Sequence, residues 1–488
     1  MKYAHSKGVQ SDKDTAARRF KTFYLCNSLC LRASVVQGIS FAFFGWIICA
    51  IVSACTSSKK SLHNTHIIPA EYASIYTEVQ KSTFNYFWDG AEPNSGLARE
   101  RFHVDNVYPQ NDKNIVTTGG SGFGVMAILT GIQRGFITRQ QGFERLQQIV
   151  NFLEKADRFH GAWPHWLNGE TGKVKPFGKK DDGGDLVETS FLLQGLLCVR
   201  QYFKNGNENE KALAAKIDQL WREVDFNWYR NGKNVLYWHW SPNYGWEMNL
   251  PVIGYNECLI MYVLAASSPT HQVPAEVYHE GWAQNGKINA VTTKYGFTLT
   301  LAHNGAKEYG GPLFWSHYSY LGLDPRGLKD PYADYWENNK NHTLINRAWC
   351  IENPKGYKGY GRDSWGLTAS YSVNGYAAHA PGKDNDLGVI SPTAALSSMP
   401  YTPEYSLQAM KHWYKDLGDK VYGIYGFYDA FSETDNWFPK RYLAIDQGPT
   451  VVMMENYRTG LLWNLFMSCP EVQQGLKKLG FKSPYFEK

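Results

Sequence analysis

Four acidic residues crowd into one short stretch of the sequence, KKDDGGDLVETSF, where a glycine turn opens an apolar helix. They are Asp181, Asp182, Asp185 and Glu188. Carboxylates held close together repel one another, which raises the pKa of one member and suits it to general acid catalysis. A structural role is the alternative, because Asp185 and Glu188 have the spacing of a capping box and acids are stabilised at a helix N-terminus.

Glu257 lies inside the apolar segment VIGYNECLIMYVLAA. We expect a helix to begin near Gly254, which would place Glu257 in its first turn. Burial of a carboxylate is unfavourable unless the group is paired or faces a wet cavity. Glu257 is therefore predicted to be either a catalytic group or the partner of a buried arginine such as Arg101 or Arg362.

Asp446 is the third candidate and lies in AIDQGPTVVMMENYRTG. Proline suits the first position of a helix, so Pro449 predicts that Asp446 immediately precedes a C-terminal apolar helix. A local role in the turn is the alternative for this aspartate. Glu455 and Arg458 lie deeper in the same helix and are predicted to form a buried pair that supports the site.

Paired carboxyls of this kind are what glycoside hydrolysis requires. One carboxyl protonates the leaving oxygen and, in inverting enzymes, a second activates water. Aromatic side chains, 15% of the chain, are concentrated in polar segments at 163–172, 228–246, 314–320, 359–366 and 431–439. Their flat apolar faces and polar edges suit sugars, although part of this aromatic content must be core. The predicted sugar-binding residues are Trp163, His165, Trp166, Trp238, Trp240, Trp246, Trp315, His317, Arg362 and Trp365.

Two alternating kinds of helix are predicted to position these residues. Amphipathic helices are expected at 70–88, 138–156, 208–224, 274–284, 331–348 and 402–416. Helices that are apolar all round are expected at 119–134, 185–199, 252–266, 312–322, 364–371 with 388–398, and 449–467. Uniformly apolar helices belong inside a fold and amphipathic ones outside. Six of each predict an all-α (α/α)6 barrel, interrupted by a small β-element at 286–304.

The N-terminal segment has the pattern of an export signal. Residues 1–34 are basic, and residues 35–54 are uncharged and mostly apolar. We expect a signal peptide over 1–54, a polar tether over 55–69 and one domain over 70–488. The residues around Cys55 resemble a bacterial lipobox, which predicts lipidation at Cys55 and a periplasmic or outer-membrane lipoprotein. A retained signal anchor is the alternative.

Charge and cysteine content narrow the possible functions. Residues 1–54 hold seven of the 50 basic and two of the 45 acidic residues, so the remaining chain carries 43 of each. This balance gives no basic footprint for nucleic acid and suits an uncharged ligand. The cysteines outside the leader are isolated and are expected to be buried thiols, with disulfides as the alternative; they are Cys198, Cys258, Cys350 and Cys469. We expect a monomer.

Other chemistries lack their sequence signatures. The segment GGSGFG at 119–124 does not have the spacing of a dinucleotide loop and is expected to allow close helix packing. There is no P-loop, no HExxH motif and no nucleophile elbow. Cysteine and histidine spacing does not indicate zinc. No metal or cofactor is therefore expected.

Several long segments resemble the bacterial glycoamylase-like domain of glycoside hydrolase family 144. They include STFNYFWDGAEPNSGLARER, TTGGSGFGVMAI, DDGGDLVETSFLLQGLL, GYNECLIMYVLAASSP, FWSHYSYLGLDPRG and DQGPTVVMMENYRTGLLW. The resemblance covers about residues 75 to 480. It implies an (α/α)6-barrel enzyme of Bacteroidota that hydrolyses β-1,2-glucan with inversion, either internally or by releasing sophorose. The acids implicated in that family fall on Asp181, Asp185, Glu188, Glu257 and Asp446.

The resulting hypothesis assigns Glu257 as general acid and Asp446 as the base that activates water. Asp181, Asp185 and Glu188 would bind the reacting sugar or relay protons. A non-catalytic glycan-binding surface lipoprotein is one alternative, since it would keep the aromatic segments without needing the acids. A hydrolase or transglycosylase acting on another β-glucan is the other.

Overall fold

The computed structural model describes residues 65–108, 111–306 and 308–487. The predicted signal peptide, Cys55 and most of the predicted tether lie outside the described residues. The described residues form one compact unit. Within the described part, no helix combines the length and the apolar character needed to cross a membrane.

Twelve α-helices are present in the described residues. In chain order they are α1 (Ala70–Trp88), α2 (Thr118–Arg134), α3 (Arg139–Lys155), α4 (Leu186–Phe203), α5 (Glu208–Arg222), α6 (Leu259–Ser267), α7 (Tyr335–Glu352), α8 (Pro392–Leu396), α9 (Pro403–His412), α10 (Ala444–Thr459), α11 (Leu461–Met467) and α12 (Pro470–Lys478). The chain is therefore predominantly helical, as predicted.

Thirteen short strands accompany these helices. They are β1 (Arg101–His103), β2 (Ile115–Thr117), β3 (Trp166–Asn168), β4 (Val174–Lys175), β5 (Gly184–Asp185), β6 (His239–Trp240), β7 (Asn289–Lys294), β8 (Phe297–Leu301), β9 (Ala369–Ser372), β10 (Gly375–Ala378), β11 (Tyr422–Gly423), β12 (Gly426–Phe427) and β13 (Arg441–Leu443). The pairs β1–β13, β5–β6, β7–β8, β9–β10 and β11–β12 and the triplet β2–β3–β4 are all antiparallel. The β7–β8 hairpin is the predicted β-element.

The apolar helices pack against one another in the interior. Helix α2 packs on α4 and α10, α4 packs on α6, and α10 also packs on α8. The amphipathic helices lie against them, with α1 and α3 on α2, α5 on α4, and α9 on α8. Helix α5 buries Leu213, Ile217 and Leu220 on one face, the spacing of an amphipathic helix. The predicted division into interior and peripheral helices is thus seen for these elements.

Glycines allow the tight contact between α2 and α4. A Cβ atom added at Gly195 would lie 2.1 Å from the carbonyl oxygen of Gly122, and one added at Gly122 would lie 2.2 Å from the carbonyl oxygen of Phe191. Only hydrogen fits at such distances, so the two backbones approach directly. This confirms that the GGSGFG segment serves helix packing.

Three predicted helices take another form. The segment 312–322 consists of two short 3₁₀ helices, Leu313–Ser316 and Tyr318–Leu321, and 274–284 contains a π-helix, Val277–Trp282. The segment 364–371 leads into the β9–β10 hairpin. The dipeptide Asn374-Gly375 is a strong hairpin signal, and it outweighs the apolar composition of the preceding residues.

Two supporting predictions are confirmed. Glu455 is fully buried and pairs with Arg458, with 2.8 Å between the carboxylate Oε1 and the guanidinium Nη2. The four cysteines of the described chain are buried free thiols, namely Cys198, Cys258, Cys350 and Cys469. Neither feature supplies reactive chemistry.

We expect Gly195→Ala to destabilise the fold by about 1–3 kcal/mol, because the added methyl group forces α2 and α4 apart. Urea unfolding followed by circular dichroism measures this loss. Gly361→Ala is the control, since no heavy atom lies within 4 Å of a Cβ at that position. Equal stability of the two variants would contradict the close-packing role of Gly195.

Candidate active site

Asp185 is the structural centre of the acidic segment. It is fully buried and caps α4, with Oδ1 accepting a 2.9 Å bond from the backbone N–H of Glu188. Its Oδ2 lies 3.0 Å from His165 Nδ1 and accepts a 3.0 Å bond from Trp238 Nε1. One carboxylate therefore fixes the start of α4 and two aromatic side chains from other segments.

His165 carries a positive charge in this arrangement. Burial opposes protonation of the imidazole, but the negative charges of Glu188, Asp185 and Asp181 raise its pKa to about 10. An imidazolium next to Asp185 forms a charge-assisted hydrogen bond, which is stronger than a neutral one. His165 is thus a cation surrounded by acidic side chains.

Glu188 does not complete the expected capping box. Its Oε2 accepts a 2.7 Å bond from the backbone N–H of Gly119, in the first turn of α2. A Cβ at Gly119 would lie 2.5 Å from this oxygen, so a larger residue there would displace the Glu188 carboxylate. Burial raises the pKa of Glu188 to about 7. The capping explanation therefore holds for Asp185 but not for the Glu188 side chain, which joins α2 to α4.

Glu257 lies in a turn immediately before α6, so its predicted place in the first turn of a helix is wrong. Gly254 has a left-handed φ of 74°, and the Asn256 side chain accepts a 2.9 Å bond from the backbone N–H of Cys258. This local turn competes with helix formation and delays the helix to Leu259. The carboxyl of Glu257 still reaches the interior, with 8% of the residue exposed.

Glu257 is buried without the arginine partner that sequence reasoning left open. Within the described chain, the ion pairs of Arg101 are with Asp112 and Glu100, and Arg362 is exposed. Burial therefore raises the pKa of Glu257 to about 7, and the negative charge of Glu188 adds to this effect. A carboxyl with this pKa keeps its proton at mildly acidic pH.

Asp446 lies in the first turn of α10, not before the helix as predicted, because α10 begins at Ala444 and includes Pro449. Only 2% of Asp446 is exposed, and neither carboxylate oxygen has a partner of ordinary hydrogen-bond geometry in the described residues. Burial, then the adjacent Asp429 carboxyl, raises the pKa of Asp446 well above its usual range.

Three of the predicted acids act on the buried side chain of Tyr318. Burial raises its pKa far above the usual value, and the charges of Asp446, Glu257 and Glu188 raise it further. The Tyr376 hydroxyl, from strand β10, lies in the field of Asp446 and Glu188, although half of that residue is exposed. Carboxyls from α10, the turn before α6 and α4 thus act on the same buried tyrosine, and their joint catalytic role stays a prediction.

Asp181 and Asp182 lie at the partly buried edge of this group. Burial, with repulsion from Asp185, raises the pKa of Asp181 to about 6. Asp182 instead accepts bonds from Ser241 Oγ at 2.5 Å and Asn243 Nδ2 at 2.6 Å, which hold the loop after β6. Asp181 is therefore the member of this pair with a carboxyl left for chemistry.

One group of side chains in the described residues has metal-ligand geometry. The ligand atoms of His165, Asp181 and Asp185 all lie within 4.8 Å of one another. Asp185 already accepts three hydrogen bonds within the chain, so a metal ion at this place would have to displace some of them.

The predicted sugar-binding residues fall into two groups. Trp238, Trp240, Trp246, Trp315 and His165 are partly exposed, as is required for contact with a ligand. Trp163, Trp365 and His317 are buried, and their sugar contact stays a prediction. Trp163 donates to the Leu153 carbonyl at 3.0 Å and belongs to the core. Trp166 is nearly buried. Arg362 is exposed and forms no ion pair with Glu257 in the described residues.

Sequence reasoning missed Asp429, Tyr318 and Tyr376. Asp429 occupies the aromatic segment FYDAF and is 3% exposed. An acid inside an apolar segment was the signal that identified Glu257, and the same signal was available for Asp429. The tyrosines carry no comparable signal, because buried tyrosines are common in any core.

We expect Asp185→Asn to lower the pKa of His165 by more than about one unit, because the amide is neutral and cannot accept from the imidazolium as a carboxylate does. NMR titration of carbon-13-labelled histidine measures this pKa. Asp182→Asn is the matched control, since its carboxylate bonds Ser241 and Asn243 instead. An unchanged His165 pKa in Asp185→Asn would refute the central role of this carboxylate.

Comparison with known proteins identifies the family. Residues 249–470 match the family model Glycoamylase. The chain is 78% identical to the endo-β-1,2-glucanase of Chitinophaga pinensis, whose structure contains sophorotriose and glucose, over 85% of this chain and 99% of that one, with a TM-score of 0.85. The β-1,2-glucanase structure from Parabacteroides distasonis is 46% identical over 84% of this chain and 60% of that one, with a TM-score of 0.79.

A curated relative extends beyond the present chain. It is the exo β-1,2-glucooligosaccharide sophorohydrolase of Parabacteroides distasonis, 49% identical in a match 421 residues long that covers 82% of this chain. The chain spans 57% of the length of that relative. These matches agree with the resemblance of the sequence segments, and the chain belongs to the bacterial glycoamylase-like family of β-1,2-glucanases and sophorohydrolases, glycoside hydrolase family 144.

Proposed function

We propose that the chain is a glycoside hydrolase that cleaves β-1,2-glucan. The observation that carries this proposal is the convergence of buried carboxyls around Tyr318. Glu188 and Glu257 each have a pKa of about 7, and Asp446 is buried beside Asp429. Groups poised near neutral pH are what acid and base catalysis requires. The names of the relatives supply the linkage, β-1,2.

Glu257 is proposed as the general acid. Its carboxyl is buried without a cation, so it keeps a proton that it can deliver to the glycosidic oxygen. Delivery of the proton allows the C1–O bond to break without expelling an alkoxide. The Ser319 hydroxyl donates to the backbone carbonyl of Glu257 and so holds the turn that presents this side chain.

Asp446 is proposed as the group that takes a proton from the attacking water. In an inverting reaction the water and the departing oxygen lie on opposite faces of the sugar. Asp446 enters the site from α10 and Glu257 from the turn before α6, and both raise the pKa of Tyr318. These separate origins are consistent with action on two faces.

The remaining acids position the substrate in this proposal. Asp185 holds His165 and Trp238 rigidly, which leaves the ring face of Trp238 for a sugar. Asp181 lies beside them with a pKa of about 6 and one carboxylate oxygen without a partner in the described residues. We assign Asp181 to a hydroxyl of the bound sugar.

Internal cleavage is proposed in preference to release of sophorose from a chain end. The relative that this chain matches over 99% of its length is named an endo-β-1,2-glucanase. The sophorohydrolase is less similar and has a large part of its length outside the match. Exo action is therefore the alternative outcome.

We also propose that the helices close into an (α/α)6 toroid. Support comes from contacts that link α2, α4, α6, the 3₁₀ helix Tyr318–Leu321 and α10 in sequence, with α10 returning to α2. The short 3₁₀ helix Tyr318–Leu321 takes the place of one full inner helix in this series of five elements, and the sixth inner element, α8, packs on α10. A crystal structure with a break in this series of contacts would contradict the toroid.

Incubation with linear β-1,2-glucan tests the proposed function. We expect a range of oligosaccharides by chromatography from the start of the reaction, and inversion at the new reducing end by proton NMR. Early release of sophorose alone would establish exo action. Retention of configuration, or binding without products, would contradict the proposed mechanism. Linear β-1,3-glucan is the matched control substrate and is expected to remain intact.

We expect Glu257→Gln to lower kcat on β-1,2-glucan by a factor of about 10² to 10⁴, because the amide has no proton to give. Activity on an aryl β-1,2-oligoglucoside should be retained, since an aryloxide leaves without protonation. In the wild-type protein kcat/KM should fall as pH rises through about 7, where Glu257 loses its proton.

Glu92→Gln is the control for this variant. Glu92 is as deeply buried, but its carboxylate accepts bonds from Ser95 and Asn94 in a turn after α1. Its loss should affect stability and leave the pH dependence of kcat/KM unchanged. Wild-type turnover of β-1,2-glucan by Glu257→Gln would exclude Glu257 as the general acid.

A further inference from the structure

Asp429 is a buried acid with no part in the mechanism so far, and it adjoins the carboxyl of Asp446. It follows strand β12, and its backbone N–H donates to the carbonyl of Arg441 at 2.9 Å. The backbone N–H of Tyr371 donates to its Oδ2 at 2.7 Å. The second oxygen, Oδ1, has no partner of ordinary geometry within the described chain. Asp429 is thus held rigidly, with one oxygen free to interact with its neighbour.

Asp446 presents the complementary situation. The hydroxyls of Thr393 and Thr450 donate to its backbone carbonyl and not to its carboxylate. Neither oxygen of that carboxylate has a hydrogen-bond partner in the described residues, and the adjacent Asp429 carboxyl raises the pKa of Asp446 beyond the effect of burial. Two carboxyl groups side by side can hydrogen-bond to each other only when one of them is protonated, because two carboxylates offer acceptors alone.

Asp429 and Asp446 line the same small cavity, which has room for about one water molecule, about 10 Å³. The hydroxyls of Thr83, Thr393 and Thr450 and the amide of Gln447 also line it. No lysine, arginine or histidine is among the lining residues of the described chain.

Two hydrogen-bond donors at this cavity are engaged elsewhere. The Thr83 hydroxyl donates to the Val79 carbonyl, and the Gln447 amide donates to the carbonyls of Tyr425 and Phe427. No lysine, arginine or histidine lines the described cavity to offset a second negative charge. The cavity favours a pair that carries one proton and one negative charge.

We propose that Asp429 is a further catalytic residue, and that it and Asp446 share one proton and act together as the base of the reaction. This inference rests on the proposed glycoside hydrolysis. The backbone N–H of Tyr371 stabilises charge on Asp429, so the shared proton resides on Asp446 in the resting pair.

The proton transfers balance in this scheme. As the oxygen of water bonds to C1 of the sugar, one water proton passes to the free oxygen of Asp446. The proton that Asp446 already carries moves fully to Asp429. The pair changes from one negative charge to none, while Glu257 gives its proton to the departing oxygen and becomes negative. Total charge is conserved, and no other reactant is needed.

Other charged and titratable groups face this pair. Glu100 raises the pKa of both aspartates, and Arg101 lowers that of Asp429. The hydroxyls of Tyr318 and Tyr376 lie within the field of Asp446. None of these groups is a carboxyl that lines the small cavity beside Asp446, which is the property that distinguishes Asp429.

Kinetics of Asp429→Asn, Asp446→Asn and the double variant test the shared proton. Each single change should lower kcat by about 10² or more, with KM altered by a much smaller factor. The double variant should be no slower than the slower single variant, because the two residues act as a unit. An aryl β-1,2-oligoglucoside should not restore activity in any of them, in contrast to Glu257→Gln.

Two results would overturn the inference. One is near wild-type kcat in folded Asp429→Asn, and the other is a double variant whose loss is the product of the single losses. Asp386→Asn is the matched control, because Asp386 is 1% exposed and bonds Trp349 and Tyr360 away from the cavity. Its kcat should remain close to that of the wild type.

A titration of the wild-type protein covers the case in which an Asn variant does not fold. Carbon-13 NMR of labelled aspartate side chains should show two carboxyl resonances that titrate together, since the shared proton belongs to the pair. Two independent titrations would overturn the shared proton. This experiment needs no substrate, so its outcome is separate from that of the glucan assay. Failure of the wild-type protein to hydrolyse the glucan would refute the proposed function and leave the shared proton untouched.

Discussion

Burial of carboxyl groups at the entrances of interior helices is the constraint on which this structure depends. A buried carboxylate needs hydrogen-bond donors or a proton. Asp185 obtains donors from the start of α4, from His165 and from Trp238. Glu188 obtains one from the start of α2. That single donor does not hold the pKa of Glu188 down, and burial raises it as it raises the pKa values of Glu257 and Asp446. Hydrogen-bond donors and retained protons are therefore the two ways in which the buried acids of this site are stabilised.

The parts of the fold that could be predicted are those governed by local periodicity. Helix α1 begins and ends where its amphipathic pattern does, and the capping residues Thr138 and Asn207 begin α3 and α5. The pattern failed at 312–322 and 364–371, where apolar composition is shared by helices, 3₁₀ turns and buried strands. In those segments tertiary contacts decide the conformation, and the spacing of apolar residues along the sequence does not reveal those contacts.

The acids of the site were predictable because buried charge is rare, whereas their individual surroundings were not. Nothing in the sequence indicates that the Glu188 side chain contacts Gly119 and not its own helix start. Aromatic residues were less informative, since Trp163 and Trp238 occur in similar polar segments but only Trp238 is partly exposed. The side of a loop that faces solvent is set by long-range packing, and composition carries no record of it.

The raised pKa values have a consequence for the stability of the whole protein. Glu188 and Glu257 keep protons in the folded state up to a pH of about 7, whereas in an unfolded chain they lose them near 4.5. Between these limits the folded state binds more protons, so the free energy of unfolding contributed by these groups falls as pH rises. The imidazolium of His165 acts in the same direction, from about 6.5 to about 10. The catalytic apparatus therefore favours folding in acid and weakens it in alkali, the reverse of the acid denaturation that salt-bridged carboxylates impose on most proteins.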